Sequence, residues 1–242
     1  MHFLLPLTGA IPALIGMGII RRLDRRRPEP VGTLSRVAIF GALVAIPVIV
    51  VQLIVGAIGP DSPGYWNSFY TSFFVAALVE ESGKLWVIMR IAWRRPEFDE
   101  RMDGLVYGAY AGLGFALLEN IGYLAGSESM DALIGTFIAR ALLSVPGHTI
   151  FTGLMGYYAA KQRFDGAGPG IGGGLALAIG LHGTFNFGLF SASYAGSQGH
   201  DALILPALLL PLAVVVGGVI WMRKAVKLAV AGDAAAGLHE PD

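Results

Sequence analysis

The chain has 242 residues, 55% of them hydrophobic and only 14% charged, with a mean hydropathy of +0.63. Soluble domains carry about 25% charged residues, so the composition excludes an ordinary soluble protein and describes an integral membrane protein. The 17 basic and 17 acidic residues cancel, and the lack of cysteine excludes disulfides, thiolate catalysis and thiolate metal sites.

Apolar segments fall at approximately 3–20, 34–58, 69–92, 104–125, 132–160, 171–191 and 202–222. Each is near or above the ~20 residues that a helix needs to cross a bilayer. The expected fold is therefore all-α: a polytopic integral membrane protein of about seven transmembrane helices. It forms a single domain over 1–228, with its motif-bearing core at 69–191 and a disordered cytoplasmic tail at 229–242. The first segment lacks a basic leader and is followed by Arg21, Arg22, Arg25, Arg26 and Arg27. It reads as a retained helix, not a cleaved signal peptide. Connections 21–33, 93–103 and 161–170 and the tail from Arg223 carry basic residues, whereas 59–68, 126–131 and 192–201 carry no Lys or Arg. The positive-inside rule then places the N-terminus outside and the C-terminus in the cytoplasm. The 34 glycines predict close helix packing.

The third segment contains Val79-Glu80-Glu81-Ser82-Gly83-Lys84. A charge at a helix centre costs roughly 2.5–3.5 kcal/mol, so these three must face a protein interior or a watery cavity. Glu80 and Lys84 lie one turn apart on one face and are expected to pair, leaving Glu81 to find a partner elsewhere. Asp103 is the expected N-cap of the fourth helix, in which Gly108, Gly112, Phe115 and Glu119 share a face. Pro146-Gly147 should bend or break the fifth segment, just before His148, with Thr152 one turn on. The Gly170–Gly174 run lacks the preceding strand and the Lys-Ser/Thr of a phosphate loop, so it reads as a flexible lead into the sixth helix. There His182 and Asn186 are spaced i, i+4 and face one space.

Counting along the helices puts Glu80, Glu81, His148 and His182 near mid-membrane, with Glu119 and Arg140 nearer the outer side. Arg140 reads as a structural counter-charge to Glu119 or Glu81. Three chemistries fit the groups. A glutamate can act as general base for a water attacking a peptide carbonyl, with His and Asn at the oxyanion. Glu and His can bind a divalent metal that activates the water, although no HExxH spacing is present. The cluster can also serve as the relay of a proton-coupled transporter, without the inverted repeat that such proteins favour.

The motifs Glu80-Glu81-Ser-Gly-Lys84 (EExxK), Phe115-Ala-Leu-Leu-Glu119-Asn-Ile-Gly-Tyr123 (FxxxExxxY), His148 in Pro-Gly-His-Thr and His182xxxAsn186 resemble those of the PrsW family of intramembrane proteases. That family is distantly similar to the type II CAAX prenyl endopeptidase and bacteriocin-immunity superfamily. The resemblance runs from about Glu80 to Asn186, including Asp103 to Asn120. It implies an endopeptidase of the bacterial cytoplasmic membrane that acts on a single-span membrane protein within or beside the bilayer. Cleavage of an anti-sigma factor at site 1 is the family's typical role; no nucleic-acid partner is implied. By the same likeness Glu80 is the base, Glu81 orients it or shares its proton, and His182 and Asn186 are oxyanion partners. Glu119 is a second acid/base or a ligand, and His148 hydrogen-bonds the water or the base. Lys84, Phe115 and Tyr123 are supporting residues. The family has been classed both as glutamate protease and as metalloprotease. A cofactor is therefore undetermined: none is needed for the glutamate mechanism, and zinc on Glu80, Glu119, His148 and His182 is the metal alternative. Lys84 stands one residue earlier than the arginine of the CAAX group, so CAAX processing is not expected. A non-enzymatic immunity-type protein or transporter is the competing class.

Overall fold

The computed structural model describes residues 2–238, which are all-helical apart from their connections. A 3₁₀ segment, His2–Ala10, runs into α1 (Ile11–Leu23), followed by α2 (Val31–Leu43) and α3 (Ala45–Ala57). α4 (Tyr65–Tyr70) and α5 (Leu78–Val87) are joined by a π-helical stretch, Thr71–Ala77, and a second, Ile88–Ala92, follows α5. Next come α6 (Arg101–Ala125), α7 (Met130–Ala139), a π-helical Arg140–Ser144, α8 (Val145–Asp165), α9 (Gly170–Ser197) and α10 (Asp201–Ala235). Five runs among the described residues are long and apolar enough to cross a membrane: Leu4–Leu23, Val31–Ala57, Met130–Asp165, Gly170–Ser197 and Asp201–Ala235.

Proline explains where the long runs bend. Pro47 cannot donate to the carbonyl of Leu43, and the helix is divided at Val44 between α2 and α3. Pro146 likewise leaves the Leu142 carbonyl without its donor, and the turn before it widens into the π-helical Arg140–Ser144. The fifth segment is therefore one continuous helical run with a π-helical stretch rather than a broken one.

α6 is the hub. Every residue from Met102 to Ala116 is buried, because glycines on opposite faces admit two other helices. A Cβ on Gly104, Gly108 or Gly112 would strike the α8 backbone at Gly156, Thr152 and His148 respectively. On the other side Gly114 abuts the carbonyl of Ala38, and Gly41 of α2 abuts that of Ala111. This is the small-residue packing that lipid-embedded helices use in place of a hydrophobic drive. It holds the α8 backbone at His148 directly against α6.

Three expectations change at the ends of helices. Asp103 is not the N-cap of α6: Glu100 is, and Asp103 sits three residues later as its capping-box partner. Its Oδ2 accepts from the N–H groups of Glu100 (2.8 Å) and Asp99 (2.7 Å). The glycine run is the first turn of α9, with Gly174 packed on the Met155 carbonyl, and is not a flexible lead. The expected disordered tail is helical through Ala235 because Asp233, wholly buried, accepts from the N–H groups of Arg101 (2.9 Å) and Met102 (3.2 Å) and pairs with the Arg101 guanidinium. α10 thus caps α6 from outside that helix. Residues 239–242 of that tail lie outside the described residues.

Between α1 and α2, Asp24 and Glu29 are also buried. Asp24 Oδ2 accepts from the Glu29 N–H at 2.8 Å, and Glu29 accepts from the Tyr107 hydroxyl of α6. Burial pushes the Glu29 carboxyl up to about 7, that of Asp24 to about 6 and that of Glu100 to about 8.

Candidate active site

Lys84 is the centre of the polar cluster. It is fully buried, which an ammonium tolerates only with its donors satisfied. Its Nζ donates to Glu81 Oε1 at 2.8 Å, to Glu80 Oε2 at 3.3 Å and to His148 Nδ1 at 2.9 Å, and lies 4.2 Å from the centre of the Phe115 ring. One side chain therefore joins α5, α6 and α8.

The two glutamates differ in their surroundings. Glu81 is saturated: beyond Lys84, its Oε1 meets His182 Nδ1 at 2.9 Å and its Oε2 accepts from the Thr152 hydroxyl at 2.9 Å. Glu80 is the freer group. Its Oε1 accepts from Gln52 Nε2 at 3.1 Å, while Oε2 has only the longer bond to Lys84 and faces His182 Nε2 across 3.9 Å. The i, i+4 pair expected between Glu80 and Lys84 forms, but the closer partner is Glu81 at i, i+3. α8 and α9 converge on Glu81 and supply the partners that its own helix cannot.

The hydrogen-bond directions fix both imidazoles. An ammonium has no lone pair, so His148 Nδ1 accepts from Lys84 and Nε2–H points to Glu119 Oε2 at 2.9 Å. His182 Nδ1–H points to the Glu81 carboxylate, and its Nε2 faces Glu80.

Glu119 belongs to the same network. It pairs with the Arg140 guanidinium as well as with His148. Arg140 Nε also donates to Asn120 Oδ1 at 2.5 Å, and Asn120 Nδ2 donates to the Gly9 carbonyl at 3.2 Å. Arg140 is thus the counter-charge to Glu119, and it lies over the Tyr123 ring, 4.0 Å from its centre.

Glu80, Glu81, Lys84, Phe115, Glu119, His148 and His182 are brought together. Tyr123 is exposed and reaches the cluster only through Arg140. Asn186 is half-buried one turn beyond His182, with no hydrogen bond among the described residues. Sequence reasoning missed Gln52 and assigned no role to Thr152. The signal for Gln52 was a lone amide in the otherwise apolar Ala45–Ala57; Thr152 could be found only through its partner on another helix.

One ligand atom from each of Glu80, His148 and His182 lies within 4.8 Å of the other two. A carboxylate with two imidazoles is a proper zinc set. The Glu81 carboxylate on His182 Nδ1–H is the outer partner that orients such a ligand, so this buried group could bind a metal ion.

A family profile described as "PrsW family intramembrane metalloprotease" matches residues 29–220. A protein named "Protease PrsW" from Clostridioides difficile (strain 630) is 36% identical over 185 residues, 75% of this chain and 77% of the relative. One of the same name from Bacillus subtilis (strain 168) is 32% identical over 189 residues, 77% of this chain and 83% of the relative. Another, from Oceanobacillus iheyensis, is 33% identical over 182 residues, 74% of this chain and 80% of the relative. No solved structure matches the chain. With membrane-capable helices and matches that span most of its length, the chain belongs to the PrsW family of intramembrane proteases.

Proposed function

We propose that this protease cuts a single-span membrane protein by means of a water activated by Glu80. The observation that carries the reading is the 3.9 Å separation of Glu80 Oε2 and His182 Nε2, two acceptors facing each other beside the Lys84 ammonium. A water placed there gives one hydrogen to each. As its oxygen attacks the peptide carbonyl carbon, Glu80 Oε2 takes a proton. When the C–N bond breaks, that proton passes to the leaving amine. Lys84 stabilises the ionised carboxylate, and Glu81 holds His182 with its lone pair inward. His182 thereby moves from the oxyanion role implied by the resemblance to holding the water. The unengaged amide of Asn186, one turn on, remains the oxyanion donor. Glu119, already bound to Arg140 and His148, positions His148 in this reading.

The donor geometry of Glu80, His148 and His182 favours one second reading, the zinc-dependent form of the same hydrolysis. Bound zinc would polarise the carbonyl and acidify the water. Glu119 is less suited as a ligand because it is already engaged by a guanidinium.

In our reading the site lies within seven membrane crossings. The helical run 65–92 and α6 add to the five apolar ones, the N-terminus is outside, and cleavage falls toward the outer half of the bilayer. The alternation of basic connections supports this, and a reporter fused at 126–131 that is found in the cytoplasm would refute it. An anti-sigma factor is the proposed substrate, by family likeness alone.

The test is cleavage of a transmembrane-peptide library by the detergent-solubilised protein, with and without chelator, beside elemental analysis. Glu80→Gln should abolish cleavage without lowering the melting temperature. Cleavage by that variant at the wild-type rate would overturn the assignment of Glu80. Stoichiometric zinc with chelator-sensitive cleavage would select the metal form.

A further inference from the structure

Resting on that reading, the geometry points to Gln52 as a positioning residue for Glu80. Its side-chain N–H fixes one carboxylate oxygen so that the other faces the attacking water. α3 reads Ala-Ile-Pro-Val-Ile-Val-Val-Gln-Leu-Ile-Val-Gly-Ala, and Gln52 is its single polar side chain. An amide in an apolar membrane helix is costly unless it finds a partner, and the partner here is Glu80 Oε1 at 3.1 Å. The bond crosses between helices 28 residues apart in sequence.

Gly83, inside the EExxK motif, leaves room for the close approach of α3. A Cβ there would lie 2.8 Å from Val48 Cγ2 and 3.4 Å from Val44 Cγ2, so a larger residue would press on the valine methyls that face α5. Gln52 is one turn beyond Val48 on the same face of α3. The motif therefore carries both the carboxylate and the gap through which its support arrives.

The two oxygens of Glu80 consequently differ. Oε1 is taken by the amide, and Oε2 faces Lys84 and His182. Without the amide, the carboxylate plane can turn about the terminal torsion, which is broad for glutamate, and Oε2 swings away from the water. Lys84 alone, at 3.3 Å and shared with Glu81 and His148, cannot hold the plane.

The experiment compares Gln52→Met, which keeps the volume and loses the donor, with wild type in the same detergent. Two readouts are taken: kinetics on a transmembrane peptide selected from the library, and the infrared band of Glu80, identified as the band absent from Glu80→Gln. A lost hydrogen bond to a charged group predicts a kcat lower by roughly 10- to 150-fold. KM should stay within about twofold, the Glu80 band should move, and the melting temperature should be kept. A packing role predicts instead that Gln52→Met behaves as wild type. An unmoved band shows that the hydrogen bond is absent and overturns the proposal. A moved band with unchanged kcat overturns the positioning role. If wild type cleaves no peptide while the band still moves, the proteolytic reading fails and takes the positioning role with it, and the bond itself stands.

Discussion

Substituting Gly112 by alanine tests whether the α6–α8 contact sets the site. The added Cβ would collide with the carbonyl oxygen of His148 and lie 3.0 Å from both its carbonyl carbon and Thr152 Oγ1. Restoring ordinary contact distances requires α8 to retreat by roughly 1 Å. His148 carries bonds of 2.9 Å to Lys84 and to Glu119, and Thr152 one of 2.9 Å to Glu81. A 1 Å retreat from α6 stretches the His148–Glu119 bond and shifts the α8 partners of Lys84 and Glu81 out of register. The expected cost is about 1–3 kcal/mol of stability from overpacking and about 10²-fold in kcat from misplacement. The control is Gly122→Ala on the same helix, where a Cβ meets nothing within 4 Å. Cleavage rates and thermal unfolding in detergent are measured on both variants. A Gly112→Ala protein with wild-type stability and rate would refute the argument that backbone contact at this glycine sets the position of His148.

Other perturbations probe the network and its supports. Lys84→Met should destabilise the fold by about 3–5 kcal/mol, because it strands buried carboxylates; an unchanged melting temperature would show that Lys84 is not the hub. Asp233→Ala, or truncation after residue 228, should cost about 0.5–2 kcal/mol by uncapping α6, and a truncated chain that melts like the whole would contradict the helical tail. Glu29 is raised by burial from 4.5 to about 7, so over that interval the folded chain holds a proton that the unfolded chain has released. Stability should then fall as pH rises from about 4.5 to about 7 and lose no more above it. Asp24 and Glu100 add to the same slope. Glu29→Gln should flatten the melting curve against pH; an unchanged slope would sink this account.

The membrane class and the cluster's membership were legible because each charge had to be explained against an apolar background. Glu80, Glu81, Lys84, Glu119, His148 and His182 stood out for that reason, and the structure gathers all six. Their pairing was not legible. Helical spacing relates residues on one helix, so it yields Glu80 with Lys84, but Glu81 is satisfied by Thr152 and His182 from helices far along the chain. The tail was misread for a similar cause. Asp233 looks solvated in sequence, and only α6's unsatisfied N–H groups make it a buried cap. Gln52 could be noticed as polar, but its use depends on the gap left by Gly83, a property of two helices together.

The donor pattern ties both forms of the mechanism to the same atom. Of the three carboxylates, Glu80 has the weakest set of donors, and its Oε2 is the oxygen left most open. A general base and a metal ligand would both use that open oxygen, so loss of activity in Glu80→Gln cannot separate the two. His148 can. Both its nitrogens are engaged, Nδ1 by Lys84 and Nε2 by Glu119. The glutamate mechanism leaves both bonds intact, whereas ligation of a metal by His148 requires one to be surrendered. His182 has no such conflict, since its Nε2 is free while Glu81 holds Nδ1. The nitrogen resonances of His148 before and after addition of zinc would therefore distinguish the forms: loss of a bond marks a metal ligand, and unchanged resonances mark a residue that keeps Lys84 and Glu119 in register around a glutamate base.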